Sequence, residues 1–225
     1  EMGLIDRIQS VSSSTMHQLD DQLCTKRAPM EFVGITIETR MTAVELPSDA
    51  LWIHSPIPLD DELRTWVDDH GPVAYVVAPN RVHHVFVDEW IEAYPEATVC
   101  AAPGLPEKRD DLEFDHVLVE DGDHPWGDAL DQQRLDGAPA LNEVMFFHEP
   151  SRTMITADLL HNEPDPDSWI HKAYLWFNGT LGEPGINRVI RWFVYKDKHA
   201  VRQSLERTLT WNFDRLIVSH GEVIE

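Results

Sequence analysis

The sequence predicts an α/β fold in which two mixed β-sheets pack face to face between outer helices, a four-layer αββα sandwich. Three observations predict it. Val73–Ala78 (VAYVVA) is a run of β-branched and small apolar residues with the length and composition of a strand buried on both faces. Segments of helical spacing alternate with strands around it, so helices must cover sheet faces. A second strand-rich block with its own hairpin follows residue 115 and supplies the second sheet. The chain has 225 residues and 42% hydrophobic content, enough for a full core. No Pro/Gly/Ser linker divides it, so residues 31–225 are expected to form a single domain.

The elements follow in order. Residues 1–30 are Ser- and Asp-rich with a weak helical pattern at Leu4, Ile5 and Ile8, and are expected to be a poorly ordered, peripheral extension. Residues 32–37 and 40–46 read as strands, Pro47-Ser48-Asp49 as a tight turn and Leu51–His54 as the return of a hairpin. An amphipathic helix over residues 60–70 is built on Leu63, Trp66 and Val67 and stopped by Gly71-Pro72. It delivers the chain to the central strand, which Pro79 and Asn80 end. Asn80 is expected to cap a helix carrying Val82, Val85, Phe86 and Trp90 at helical spacing, with His83 and His84 in its first turn.

Residues 98–102 and 117–119 are the next strands, and residues 120–137 a polar loop followed by an edge strand. NEVMFF (142–147) and TMITA (153–157) are strands joined by a turn at residues 148–152. Three helices, over Trp169–Asn178, 186–195 and 199–211, precede a last strand, RLIVS, that ends in His220-Gly221. Trp169, Trp176, Trp192 and Trp211 recur along these helices and read as core packing before they read as a substrate platform. No repeat of fixed period is present.

Charge narrows the function classes. Lys and Arg total 18 against 40 acidic residues, a net charge of −22. Such a chain repels nucleic acid and anionic membranes, so neither is expected as a partner unless a local basic patch exists. Few lysines and many carboxylates also match proteins of a salt-rich cytoplasm, although an ordinary acidic protein reads the same way. Cys24 and Cys100 are too few for a disulfide framework or a thiolate metal site. There is neither an apolar run of membrane-spanning length nor a signal-peptide pattern, and the expected location is the cytoplasm.

Ligands in open α/β sheets collect beyond the carboxyl ends of strands. His83 and His84 follow the central strand, Asp158 follows TMITA, and His220 follows the last strand. Three imidazoles and a carboxylate suit zinc, iron or manganese. A helix N-terminus disfavours protonated imidazole and keeps such rings able to bind a metal. The plainer reading is a helix cap beside solvated histidines. Ser151-Arg152-Thr153 has the composition of a turn that holds a phosphate or carboxylate, or equally of a turn serine beside a surface arginine, and Asp121-Gly122-Asp123-His124 that of a solvated acidic loop.

Through RMTAVELPSDALWIHSPIPL, VAPNRVHHVF, YPEATVCAAPGLPEKR, EVMFFHEPSRTMITADLL and IVSHGE, in that order across residues 38–225, the chain resembles the DUF4336 proteins of the metallo-β-lactamase-like hydrolase superfamily. The superfamily's first ligand loop, HxHxDH, matches Pro79-Asn80-Arg81-Val82-His83-His84. His84 falls on its last histidine and His83 on its aspartate, while Pro79 and Arg81 replace the first two histidines. Asp158 matches the bridging aspartate and His220 the last histidine. The middle histidine has no counterpart near Gly137-Ala138-Pro139.

The resemblance therefore implies at most one divalent metal, zinc first and iron or manganese otherwise, held by His83, His84, Asp158 and His220. The function it implies is hydrolysis of a small molecule by metal-bound hydroxide. On that reading His54 or His148 shuttles the proton, and Asn80 and His161 orient the ligands. The alternative is a degenerate member that keeps the fold as a metal-free binding or scaffold protein.

Overall fold

The computed structural model describes residues 15–32, 35–119, 124, 126–166 and 168–225. The larger sheet contains β1 (His17–Asp20), β2 (Leu23–Phe32), β3 (Ile35–Glu45), β4 (Leu51–His54), β5 (Val73–Ala78), β6 (Thr98–Ala101) and β7 (His116–Val117), in sequential order. Its first four strands pair antiparallel, and β4 to β7 pair parallel. Helices α1 (Asp61–His70) and α2 (Val87–Ala93) make the long crossovers that β4–β5 and β5–β6 require. Asp60 caps α1 by accepting from the Leu63 amide at 2.7 Å. Gly71 ends it at φ 138°, where the Asp49 carbonyl would stand 2.5 Å from any Cβ.

The smaller sheet holds β8 (Asp131–Arg134), β9 (Val144–His148) and β10 (Thr153–Ile155), with β12 (Arg215–Ile217) parallel to β10 at the far edge. A further pair of two-residue strands, β11 (His161–Asn162) and β13 (His220–Gly221), runs parallel just beyond. The remaining α-helices among the described residues are α3 (Trp169–Asn178) and α4 (Lys198–Thr208), separated by a π-helical turn at Ile190–Val194.

Packing confirms the four layers. Val44, Trp52, Val77 and Cys100 of the larger sheet meet Val144, Phe146, Ile155 and Ile217 of the smaller one in a buried cluster between the sheets. The outer face of the larger sheet is covered by Leu63 and Val67 of α1 and Val87 and Trp90 of α2. Met145, Met154 and Leu216 on the outer face of the smaller sheet pack with Val201 of α4 and with Tyr195. Burial of each such side chain is worth about 1.5–3 kcal/mol, so the inter-sheet cluster carries much of the fold's stability.

Four expectations need correction. Residues 17–30 are not a peripheral extension: they form β1 and most of β2, the latter paired with β3 from Leu23↔Val44 to Phe32↔Ile35. Their apolar pattern is obscured because a buried position is filled by a charge, Lys26, whose ammonium pairs with Asp60 at 3.1 Å. Residues 1–14 lie outside the described residues, as do Asp121-Gly122-Asp123. The two strands expected at 32–37 and 40–46 are the single strand β3.

The helix expected to start at Asn80 begins at Val87. Asn80 caps a tight turn instead, Oδ1 accepting from the amides of Val82 and His83 at 2.7 Å each. Val82 and Val85 consequently face solvent. Finally, Trp169, Trp176 and Trp192 are exposed and do not pack in the core, whereas Trp211 stacks on Phe147 at 5.7 Å.

Candidate metal centre

Strand direction decides which residues can meet. β4 and β5 are parallel and end at the same rim, so Ser55 and Asn80 emerge together. β10 and β12 are parallel and deliver Asp158 and His220 to a common rim, where the Ser219 amide donates to the Ala157 carbonyl at 3.2 Å. Two backbone bonds sew the rims together: Val144 N to the Pro79 carbonyl at 2.8 Å and Arg81 N to the Leu141 carbonyl at 2.9 Å.

His83, Asp158 and His220 converge at this seam, all three buried, with one ligand atom of each within 4.8 Å of the others. Both imidazoles aim Nε2 at one carboxylate oxygen: His83 lies 3.3 Å and His220 3.2 Å from Asp158 Oδ1. Their other ring nitrogens are held. Ser55 Oγ lies 2.7 Å from His83 Nδ1, and His220 Nδ1 donates to the Glu38 carbonyl at 2.7 Å. A carbonyl only accepts, so the His220 proton is on Nδ1 and its Nε2 presents a lone pair unless the ring is an imidazolium.

The carboxylates behind the trio are built in. Asn80 Nδ2 donates to Asp158 Oδ2 at 2.9 Å and reaches Glu143 Oε2 at 3.4 Å. Glu143, fully buried at the head of β9, accepts from the amides of Ala157, Asp158 and Leu159 at 2.8, 2.9 and 3.3 Å. Burial and the adjacent Asp158 push Glu143 up to about 7, against the pull of those three amides. Burial would raise Asp158 too, but the His83 charge and the hydrogen bonds of His220 and His83 hold it well below the usual carboxylate range. Burial would lower His220, and the Asp158 hydrogen bond and charge outweigh it and raise the imidazole.

His161 stacks on His220, ring centroids 4.8 Å apart and 22° from parallel. Its Nδ1 faces Glu163 Oε1 at 3.5 Å, and Glu163 Oε2 lies 2.9 Å from His171 Nε2. Its Nε2 is buried with no protein partner, and burial lowers the ring's pKa.

The other candidates go elsewhere. His84 does not join the trio. Its Nδ1 accepts from Arg109 Nη1 at 3.1 Å, and burial together with the charges of Lys108 and Arg109 lowers it to about 4. His148 is at the opposite end of β9 from Glu143, about 15 Å away at the rise of an extended strand. It bonds Ser151 Oγ at 2.7 Å in the hairpin turn. The hairpin explains the error: β9 and β10 are antiparallel, so only one of them can end at the Asp158 rim.

His54 reaches the correct rim, but its ring turns into the core. It stacks on Trp52 at 5.6 Å and meets Phe146 edge-on at 5.6 Å, with neither nitrogen hydrogen-bonded to protein. Arg152 of the Ser-Arg-Thr turn is paired with Asp214 at 2.8 Å. Sequence reasoning missed Glu143, Glu163 and His171. Glu143 alone left a signal, a carboxylate heading an otherwise apolar buried strand.

Whole-chain comparisons agree with the architecture. The fold matches a metallo-beta-lactamase from Pontibacter korlensis with TM-score 0.65 at 11% identity, covering 94% of this chain and 93% of that one. It matches the metallo-beta-lactamase FIM-1 from Pseudomonas aeruginosa in the mono-zinc form with TM-score 0.63 at 12% identity, over 93% and 88% of the two chains. The metal-soaked Flv1 flavodiiron core from Synechocystis matches with TM-score 0.65 at 12% identity, over 94% of this chain and 57% of that one. No curated protein matches the sequence. The DUF4336 model, described as a domain of unknown function, matches residues 21–173, and the chain therefore belongs to that family and carries a metallo-β-lactamase fold.

Proposed function

We propose that the protein is a single-metal-dependent hydrolase of a small molecule, with His83, Asp158 and His220 as the ligands and His84 outside the set. One observation carries the reading: two buried imidazole nitrogens aim at the same carboxylate oxygen while their opposite nitrogens are held by Ser55 and Glu38. A neutral His220 would otherwise set a lone pair against an anionic oxygen at 3.2 Å, which a cation between them relieves. Three protein ligands leave an open position, as catalytic zinc sites do. The fold neighbours support the class, since one is a metallo-beta-lactamase in a mono-zinc form and another is a metal-soaked flavodiiron core. The ion would supply a Lewis acid for a carbonyl or phosphoryl oxygen and acidify a water.

The chain's own residues then have defined roles. Ser55 and the Glu38 carbonyl fix the two rings, and Asn80 fixes Asp158 through Oδ2. His161, neutral because burial lowers its pKa, would take at Nε2 a proton released by a water in the site and give its Nδ1 proton to Glu163 Oε1, whose Oε2 faces His171 Nε2. This assigns to His161 the shuttle role that the sequence suggested for His54 or His148.

A second reading is supported by the same trio. His220 raised and Asp158 lowered make a closed imidazolium–carboxylate pair, sufficient for a metal-free scaffold. Metal analysis separates the two. Protein supplied with zinc, iron or manganese should hold close to one equivalent. Excess metal at about 100 times its Kd should stabilise it by about 2.7 kcal/mol. Asp158→Asn should lose both effects while its circular dichroism stays native. Less than a few tenths of an equivalent with no thermal shift would leave the scaffold.

A further inference from the structure

We infer that the face formed by α3 and the π-helical turn is a docking surface for an anionic phospholipid bilayer. Five exposed aromatic side chains are gathered in this short stretch. Trp169, Trp176 and Phe177 of α3 are 77, 69 and 55% exposed, and Trp192 and Phe193 of the turn are 55 and 66% exposed. α3 buries Leu175 and Asn178 on its inner side and is apolar on its outer side as well, a pattern that water does not stabilise. Arg188 joins the two segments: its Nη1 donates to the Phe177 carbonyl at 3.3 Å, and its guanidinium lies against Gly179, where a Cβ would come within 2.6 Å of Nε. Arg188 thus ties the C-terminal end of α3, where Trp176 and Phe177 sit, to the segment that leads into Trp192 and Phe193.

Charge selects the occupant. Residues 169–202 carry six basic and two acidic residues, while the rest of the chain carries 12 basic and 38 acidic. Lys172 is paired with Asp165 and Arg202 with Glu206. Arg188, Arg191, Lys196 and Lys198 have no carboxylate partner among the described residues. A second copy docking face to face would oppose two positive surfaces, which counts against self-association. Exposed tryptophans interleaved with cations that lack a carboxylate partner are the composition of a headgroup-level anchor.

The acidic remainder does not cancel the attraction at contact. Screening limits each charge's reach to about 8 Å at physiological ionic strength, so lipid headgroups respond chiefly to the face that touches them. The general exclusion of anionic membranes by net charge carries the exception of a local basic patch, and this is one.

Cosedimentation with vesicles tests the inference. The full chain is mixed with vesicles of equal phosphatidylglycerol and phosphatidylcholine, or of phosphatidylcholine alone, in about 0.15 M and about 1 M salt, where the screening length falls to about 3 Å. Binding should be about tenfold or more tighter to the anionic vesicles and weaken at the higher salt. Trp176→Ser with Trp192→Ser, and separately Arg191→Glu with Lys196→Glu, should each lower it about tenfold with native circular dichroism. In the unmutated protein, brominated lipid should quench tryptophan emission, a readout independent of how the variants fold. Absent binding, equal binding to both vesicles or no quenching overturns the inference. So does a dimer in sedimentation velocity that the tryptophan variant dissociates, which would give the face to a second copy.

Discussion

His54 is a titratable ring placed where it cannot titrate. Burial first, and then the neighbouring His83, lowers it from 6.5 to about 3, and neither nitrogen has a protein partner. Between those two values the unfolded chain binds a proton that the folded chain refuses. Its contribution is therefore present above about pH 6.5 and lost as the pH falls toward 3. The loss is on the order of 5 kcal/mol. His54→Phe keeps the aromatic contacts with Trp52 and Phe146 and removes the proton site, so urea titrations should show a flatter acid limb. An unchanged pH dependence would mean that His54 titrates normally.

Asn80 makes the complementary case, a polar side chain whose two ends are both used. Asn80→Ala frees two turn amides and one oxygen of Asp158. It is expected to cost about 1–3 kcal/mol and, with a metal bound, to weaken its affinity about 10–100-fold, read by denaturation and metal titration.

At the scale of elements, the shortest strands do the positioning. β11 and β13 pair over two residues, His161↔His220 and Asn162↔Gly221, and so fix the stacked rings. Gly221 sits at φ 100°, where a Cβ would fall 2.0 Å from the Asn162 carbonyl oxygen, and its own carbonyl accepts from Arg40. Gly221→Ala is expected to cost at least about 2 kcal/mol in thermal denaturation and to unseat His220; an unaltered melting curve would rule out this account. Strand ends were legible because composition and terminators are local: Val73–Ala78 before Pro79, and RLIVS before His220, needed no tertiary information. Rim assignment was not legible for His148, because antiparallel pairing reverses the strand that carries it. β2 escaped because Lys26 is buried on a partner, Asp60, that sequence does not place beside it. The exposed face of α3 escaped for the converse reason: helical spacing of tryptophans is the same whether protein covers them or not.

The whole molecule carries its acidic excess outside residues 169–202, so most of the surface repels itself. Compact folding brings those carboxylates closer than the unfolded chain does, and the cost is set by ionic strength because the charges are exposed and separated by distances comparable to the screening length. The ion pairs offset little of it. Arg27 with Glu38 and Glu222, Arg152 with Asp214 and Arg202 with Glu206 are half-buried or exposed pairs, each worth about 0–1 kcal/mol. The two effects oppose each other as salt rises: screening weakens these few pairs and relieves the far more numerous repulsions. Repulsion outnumbers attraction at 40 acidic against 18 basic residues, so stability must rise with salt. Melting followed by circular dichroism from about 0.01 M to about 1 M potassium chloride should therefore show a steadily increasing Tm, steepest below about 0.1 M where the screening length still exceeds about 10 Å. Replacing a set of exposed acidic residues by their amides should raise the low-salt Tm and flatten the dependence. A Tm that is flat, or that falls with salt, would mean that local pairing rather than net repulsion governs this surface.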